Sequence, residues 1–263
     1  MLLTQTMEKL RTLGLQAMAD ALAEQMAAPA AAELPFEDRI GLLVDREWDA
    51  RESRRLQRRL KGAKLKQPAA CIEDIDFRGS RGLDRGVLLA LASGHWITAH
   101  QNCIVTGPTG AGKTFVACAL GHRACRLGHS VAYHRVSRLL ADLALARAAG
   151  TLGSLTRKLA KTELLLLDDW ALTTLTIDQA QDLLDVLEDR AGVGSTLIAT
   201  QVPVSQWHAR IGDPTIADAI LDRLVHGAHR IELRGESMRK LRARAEAAER
   251  PEEARPEPKP ADA

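Results

Sequence analysis

At 263 residues the chain has room for one full α/β domain and a smaller appendage. Lys+Arg 36 against Asp+Glu 34 leaves a formal net charge of +2, so a polyanionic partner has to be read from the distribution of charge along the chain. Aromatic residues make up only 3%, which argues against a base-stacking single-strand binder of the OB or RRM kind. With no signal peptide and no run of about 18 apolar residues, a cytoplasmic protein without a membrane partner is expected. The four cysteines, Cys71, Cys103, Cys118 and Cys125, form no C-x-x-C pair; Cys118 and Cys125, seven apart on one helical face, read as buried thiols in preference to a metal site or disulfide, and the eight histidines fit no zinc pattern.

The chain opens with two short helices over 1–27. Their apolar positions are Leu3, Met7 and Leu10, then Leu15, Met18, Leu22 and Met26, with Gly14 between. Ala27 to Glu33 reads as a hinge. Pro35 then starts a long amphipathic helix whose apolar stripe is Phe36, Ile40, Leu43, Val44 and Trp48. Toward its end this helix turns basic, with Arg51, Arg54, Arg55, Arg58, Arg59, Lys61, Lys64 and Lys66 around and after the last acid, Glu52. Such a run is either a solvated face or a set of phosphate contacts; the lack of compensating acids favours phosphate. Residues 1–66 are thus expected as a helical amino-terminal domain and 67–94 as a connector, with a short helix over Leu83–Ala92.

From residue 95 an α/β core is expected, continuing to 249. Cys103-Ile104-Val105-Thr106 reads as a buried strand running into Gly107-Pro108-Thr109-Gly110-Ala111-Gly112-Lys113-Thr114, and a helix follows from Lys113 to Leu127. Strand, G-x-x-x-x-G-K-T and helix together are a phosphate cradle. Backbone N–H groups and the positive helix end converge on a polyphosphate, Lys113 reaches the β- and γ-phosphates, and the Thr114 hydroxyl holds Mg²⁺.

A strand at Ser130–His134 and helices from Ser137 to Ala149 and on to Leu159 lead to Glu163-Leu164-Leu165-Leu166-Leu167-Asp168-Asp169. Four leucines ending in two carboxylates describe a central strand that delivers acids at its carboxyl edge, where open α/β sheets bind ligands. As a Walker B segment, Asp168 holds the Mg²⁺ shell and Asp169 polarises the attacking water; the plainer reading is an acidic cap after a core strand. Thr176-Ile177-Asp178-Gln179 is a capping box for a helix to Arg190. The strand Ser195–Ala199 ends at Thr200-Gln201, where a polar side chain either senses the γ-phosphate or caps its own turn. Asp213-Pro214 opens a helix through His226, His229–Leu233 is the last strand, and a final helix contains Ser237-Met238-Arg239-Lys240. Residues 250–263 alternate proline with charge and are expected to have no fold.

Five strands alternating with helices, a cradle after the first and paired acids after the third, predict a parallel P-loop sheet of the additional-strand type behind a small all-helical domain. From about Arg58 to Lys240 the chain resembles the IstB family, the helper ATPases of insertion sequences, which group with DnaC-like helicase loaders in the AAA+ class. The cradle and Leu165-Leu166-Leu167-Asp168-Asp169-Trp170 contribute to the match. The specific strings are Asp213-Pro214 with Ile220-Leu221-Asp222-Arg223-Leu224, and Gly235-Glu236-Ser237-Met238-Arg239-Lys240.

The resemblance implies ATP and Mg²⁺ as ligands, ATP-driven homo-oligomeric assembly on duplex DNA with sites at subunit interfaces, a cognate transposase as partner, and hydrolysis as a release step. It also implies Arg223 as the arginine finger for a neighbouring subunit, where the alternative is a surface Asp222/Arg223 pair. Arg239 becomes the second sensor and Thr200 the first, with Gln201 as the other candidate. Ala171 departs from the family, which often has glycine after the tryptophan, and an alanine there disfavours a positive φ. A replicative helicase loader shares every nucleotide residue named; a small-molecule kinase shares only the cradle and needs no Arg223 from another subunit. A nucleotide-independent DNA binder with a decayed site is disfavoured by the intact Lys113, Thr114 and both acids.

Overall fold

In the computed structural model, which describes residues 2–77, 82–235 and 237–238, the chain divides into two units, Met1–Lys61 and Gly62–Ala263. The amino-terminal unit consists of α1 (Leu2–Thr12), α2 (Gln16–Ala27), a 3₁₀ turn over Pro29–Glu33 where a hinge is expected, and all but the last two residues of α3 (Phe36–Ala63). Gly14, at φ 73°, makes the reversal between α1 and α2, a backbone state that favours glycine. Glu37 and Asp38 occupy the first turn of α3, where acids complement the helix dipole.

The apolar stripe expected on α3 is mostly not buried. Leu43 is 4% exposed, whereas Phe36 is 71%, Ile40 39%, Val44 51% and Trp48 62% exposed. Positions four apart drift by about 40° per step around a helix, so a ladder of this length is wider than the face that packs.

At the centre of that packed face stands a carboxylate the sequence pattern did not single out. Glu47, 5% exposed, accepts from the Ala17 and Met18 amides at 2.9 and 3.2 Å, capping the first turn of α2, where Leu15 offers no side-chain cap. Its other oxygen accepts from Arg51 Nε at 2.9 Å and Arg54 Nη2 at 3.1 Å, and Arg55 pairs with Glu52. The basic run is therefore compensated by acids at three positions, contrary to the expectation. Burial pushes the Glu47 carboxyl up, but Arg51 and the two amides outweigh it and hold it below its ordinary value of 4.5. Because the folded value is depressed, this contribution is complete above the unfolded value and is lost as pH falls below about 4.5 through the folded one. Glu47→Gln should destabilise α2 by about 1–3 kcal/mol, the cost of a charged hydrogen-bond acceptor, read as faster amide exchange at Ala17 and Met18.

In the second unit, β1 (Cys103–Thr106), β2 (Val131–Arg135), β3 (Leu164–Asp168), β4 (Ser195–Thr200) and β5 (His229–Glu232) form one sheet in the order β2-β3-β4-β1-β5, with every pairing parallel. β3 and β4 are buried along their whole length, as near-continuous apolar runs require when helices cover both faces. The helices are α4 (Arg85–Ala92), α5 (His95–Thr98), α6 (Lys113–Arg126), α7 (Val136–Ala148), α8 (Leu152–Ala160), α9 (Ile177–Glu188), α10 (Trp207–Ile211) and α11 (Pro214–Val225).

Local signals fix several of these boundaries. The capping box at Thr176 and Gln179 closes in both directions, at 3.3 and 3.1 Å, and Asp213 accepts from the Ile216 amide at 2.9 Å ahead of Pro214. Short α5 and α10 were not foreseen, since four and five residues carry too little periodicity to register.

Within 67–94, expected as a connector, Ala70, Ile72, Ile75, Leu88 and Leu91 are all buried in this unit. The cysteines are free thiols; burial pushes Cys103 up to about 12, which makes it inert. Arg190 is buried with no acid partner among the described residues. It donates to the carbonyls of Leu159, Thr162 and Ser195, and burial brings its guanidinium down to about 10. No helix among the described residues is long and apolar enough to cross a membrane. Arg239, Lys240 and the expected tail from 250 lie outside the described residues.

Candidate nucleotide site

The site forms where β1, β3 and β4 deliver their carboxyl ends, because parallel pairing brings Thr106 beside Thr200 and Asp168 beside Ala199. After Thr106 the chain turns through Gly107, Gly110 and Gly112, at φ 149°, 85° and 97°. Two of these also need the missing side chain: a Cβ on Gly107 would collide with the Leu233 carbonyl, and one on Gly110 with the Ser237 hydroxyl. Gly112 begins α6 with no side-chain cap, leaving the helix N-terminus open to an anion. The Met238 amide donates to Gly110 O at 2.9 Å, so the first described residues of the Ser237-Met238 string rest on the cradle.

Lys113 folds its amine back over the loop, donating to the Gly107 and Pro108 carbonyls at 2.8 Å each. Burial lowers its pKa, partly opposed by Asp168 and Asp169. Thr114 Oγ1 lies 3.2 and 3.0 Å from the two oxygens of Asp168, itself 2% exposed. A hydroxyl and a carboxylate in contact beside a phosphate cradle are hard oxygen donors suited to Mg²⁺, which takes few protein ligands and completes its shell with phosphate and water. No group of three or more His, Cys, Asp or Glu that could hold a metal by itself occurs among the described residues. The donor set fits Mg²⁺ with a nucleotide.

Three further side chains reach the two acids, and none was singled out for this site. Tyr133 donates to Asp168 at 2.6 Å; burial and that bond push its phenol well above the usual range. Lys66, grouped by sequence with the basic run, has its amine 3.5 Å from Asp168 and lines the nucleotide cavity; Lys66 thus belongs to this site and not to the run. Arg135 Nε is 2.8 Å from Asp169 Oδ2. The signal available in the sequence was only that Tyr133 lies in the strand expected at Ser130–His134 and that Arg135 directly follows it. The cavity, about 350 Å³, has among its lining residues Lys66, Asp74, Ile75, Asp76, Thr109, Gly110, Lys113, Thr114, Arg135, Asp169, Gln201 and Met238.

The loop after β3 departs from expectation. Asp169 at φ 59° and Ala171 at φ 56° both take the left-handed conformation that an alanine was expected to disfavour. Packing holds it: Trp170 is 1% exposed and stacks at a 57° tilt on Trp207, 5.4 Å away.

At the end of β4, Thr200 donates to Trp170 O at 2.6 Å and accepts from the Val202 amide at 3.0 Å, tying together two loops of the sheet edge. Gln201 faces the cavity instead, its carbonyl oxygen accepting from Thr109 Oγ1.

Arg223 stands elsewhere. Its backbone carbonyl accepts from Asn102 Nδ2 at 2.7 Å, at the amino end of β1, whereas the cradle follows the carboxyl end of that strand. Its guanidinium donates to Glu188 at 2.7 Å and to Ala219 O at 2.8 Å; no pair with Asp222 forms. Arg223 therefore does not line its own chain's cavity.

A parallel sheet in this order, with a cradle after β1 and acids after β3, defines a P-loop NTPase of the AAA+ type. The sequence matches the family of IstB-like ATP binding proteins over residues 8–247, and the chain belongs to that family. It is 51% identical over 244 residues to insertion sequence ATP-binding protein y4pL of Sinorhizobium fredii, covering 93% of this chain and 99% of that one. With the insertion sequence ATP-binding protein Rv3427c of Mycobacterium tuberculosis it shares 37% over 232 residues, 88% of this chain and 92% of the relative.

Among solved structures, the DnaC helicase loader superposes with a TM-score of 0.52 at 16% identity, covering 62% of this chain and 96% of its own. AMPPCP-bound DnaA from Aquifex aeolicus superposes at 0.56 and 17% identity, over 73% and 58%. At these identities the likeness is one of fold.

Proposed function

We propose that the protein is a Mg²⁺-dependent ATPase that assembles on duplex DNA in the cytoplasm and assists a transposase, with hydrolysis as the release step. The observation that carries the reading is the meeting of Lys113, Thr114, Asp168 and Asp169 at one sheet edge in a member of the IstB-like family. Lys113 leaves the loop carbonyls for the β- and γ-phosphates of ATP, and the open N-terminus of α6 receives the phosphate charge. Thr114 and Asp168 would hold Mg²⁺, which would supply positive charge to offset that of the triphosphate. Asp169 orients water for attack on the γ-phosphorus. Gln201 fits the first-sensor role better than Thr200, whose hydroxyl is committed to two backbone groups. Arg223 completes the site of a neighbouring subunit, and Arg239 takes the second-sensor role by family resemblance.

Duplex DNA is held through phosphates by the basic run on α3. With Arg51 and Arg54 committed to Glu47 and Arg55 to Glu52, the helix's remaining cations Arg58, Arg59 and Lys61 carry most of the contact, with Lys64 just past the helix end. Neutralising these three should flatten the log–log salt dependence of duplex binding by about 2–3 units, at roughly 0.9 per phosphate contact, while Lys66→Ala leaves the slope unchanged. A slope unaltered by the triple substitution assigns the run to solvent.

A further inference from the structure

Asn102 directly precedes β1, and its side-chain amide joins three elements at the amino edge of the sheet. Its Oδ1 accepts from the Thr196 amide of β4 at 2.8 Å; its Nδ2 donates to the Arg223 carbonyl of α11 at 2.7 Å, with the Leu224 carbonyl at 3.5 Å. Its own carbonyl accepts from the His229 amide, at the start of β5, at 2.9 Å. The amide has one orientation only, because the reverse would set its oxygen against two carbonyls and its NH₂ against an N–H.

These bonds fall where α11 needs them. Asp213 caps its amino end, but at its carboxyl end the chain leaves through His226 in an extended conformation, and the last four carbonyls of a helix have no partner within it. Asn102 supplies a partner at the residue whose side chain is assigned to a neighbouring subunit.

We propose that Asn102 is a positioning residue for Arg223. It fixes the backbone from which the guanidinium reaches a neighbour's site, and it anchors that backbone to β1 and β4, the strands whose other ends lead into the cradle and Gln201. The inference rests on the reading of Arg223 as a finger and adds to it the residue that aims it.

The physical reason is the precision that phosphoryl transfer demands. A helix end without partners for its carbonyls frays, and a displacement of about 1 Å in a catalytic group can cost on the order of 10²-fold in rate. Within its own chain the Arg223 guanidinium has Glu188 and the Ala219 carbonyl to fall back on, so a loosened last turn favours those partners over a phosphate across the interface. Aspartate has the shape of asparagine without the donor: Asn102→Asp keeps an acceptor for the Thr196 amide and sets an anionic oxygen against the Arg223 carbonyl.

The test is ATP turnover by the full chain with duplex DNA, beside ATP affinity by titration, for Asn102→Asp alone and in mixtures. Alone, it should bind ATP as the wild type does and lose turnover by roughly 10- to 100-fold, the range between one lost hydrogen bond and a finger displaced by an ångström. Mixed with Lys113→Ala it should regain part of the turnover, because its intact cradle then meets a well-aimed Arg223. Mixed with Arg223→Ala it should regain none, since both lack that finger. Damage by Asn102→Asp to its own cradle gives the opposite pattern, rescue by Arg223→Ala and none by Lys113→Ala. Asn102→Ala, which removes the donor without adding charge, should behave as Asn102→Asp does. Wild-type turnover, weakened ATP binding, the opposite pattern of rescue, or failure of both variants to fold would overturn the inference, and the finger reading stands if Arg223→Ala still complements Lys113→Ala. Wild-type turnover in Arg223→Ala overturns both.

Discussion

Arg223→Ala is expected to bind ATP as the wild type does and to lose hydrolysis by roughly 10³- to 10⁵-fold, the range over which an arginine finger accelerates other NTPases. Negative charge on the transferring γ-phosphoryl is incompletely offset by one lysine and one divalent ion, and a guanidinium supplies a permanent charge on a planar fork. In its own chain Arg223 is at the amino end of β1, a strand length of about 13 Å from the cradle, and hydrogen-bonded to Glu188 and Ala219. A finger at this position would therefore act only across a subunit contact, with Glu188 releasing it. Its own chain asks little of it, since the Glu188 pair is partly exposed. Mixing Arg223→Ala with Lys113→Ala subunits should restore part of the turnover, one providing an intact cradle and the other an intact finger. Glu188→Gln, which removes the competing partner, should retain turnover. Mixtures that co-assemble without any recovery would remove Arg223 from the mechanism.

Lys113→Ala is expected to lose ATP affinity on the order of 10²-fold and all measurable turnover, because one ammonium makes charge-assisted contacts to two phosphates. The substitution also removes the amine from the Gly107 and Pro108 carbonyls, so the cradle loses its resident donor even before nucleotide arrives. Asp169→Asn separates binding from chemistry: it retains ATP and loses hydrolysis, since the amide no longer polarises water. A titration in which Lys113→Ala binds ATP as the wild type does would refute the cradle assignment.

What could be read from sequence was what lies contiguous along the chain. The glycine turn with Lys113 and Thr114, the four leucines before Asp168 and Asp169, the capping box at Thr176 and the Asp213-Pro214 helix start each carry their geometry within a few residues. What could not be read is set by register and by packing between elements. Tyr133 and Arg135 reach the acids because β2 pairs in parallel with β3, bringing Arg135 beside Asp168. Lys66 belongs to a basic run by spacing, but in the structure its amine stands at Asp168. The proposed preference for Gln201 over Thr200 as first sensor rests on which way one strand end faces, with the Thr200 hydroxyl tied to Trp170 O. On α3 a regular spacing of apolar residues promised a buried stripe, yet the packed face centres on Leu43 and the carboxylate of Glu47. A period gives the spacing of a face; it does not say how much of that face a short helical pair can cover.

The most direct test of the central claim is the mass of the full-length chain on duplex DNA, measured by sedimentation with ATP, with a non-hydrolysable analogue, with ADP and without nucleotide. The account predicts a multi-subunit complex on DNA with ATP or its analogue, falling apart as ATP is consumed and persisting with the analogue. The same mass on DNA under all four conditions would contradict it.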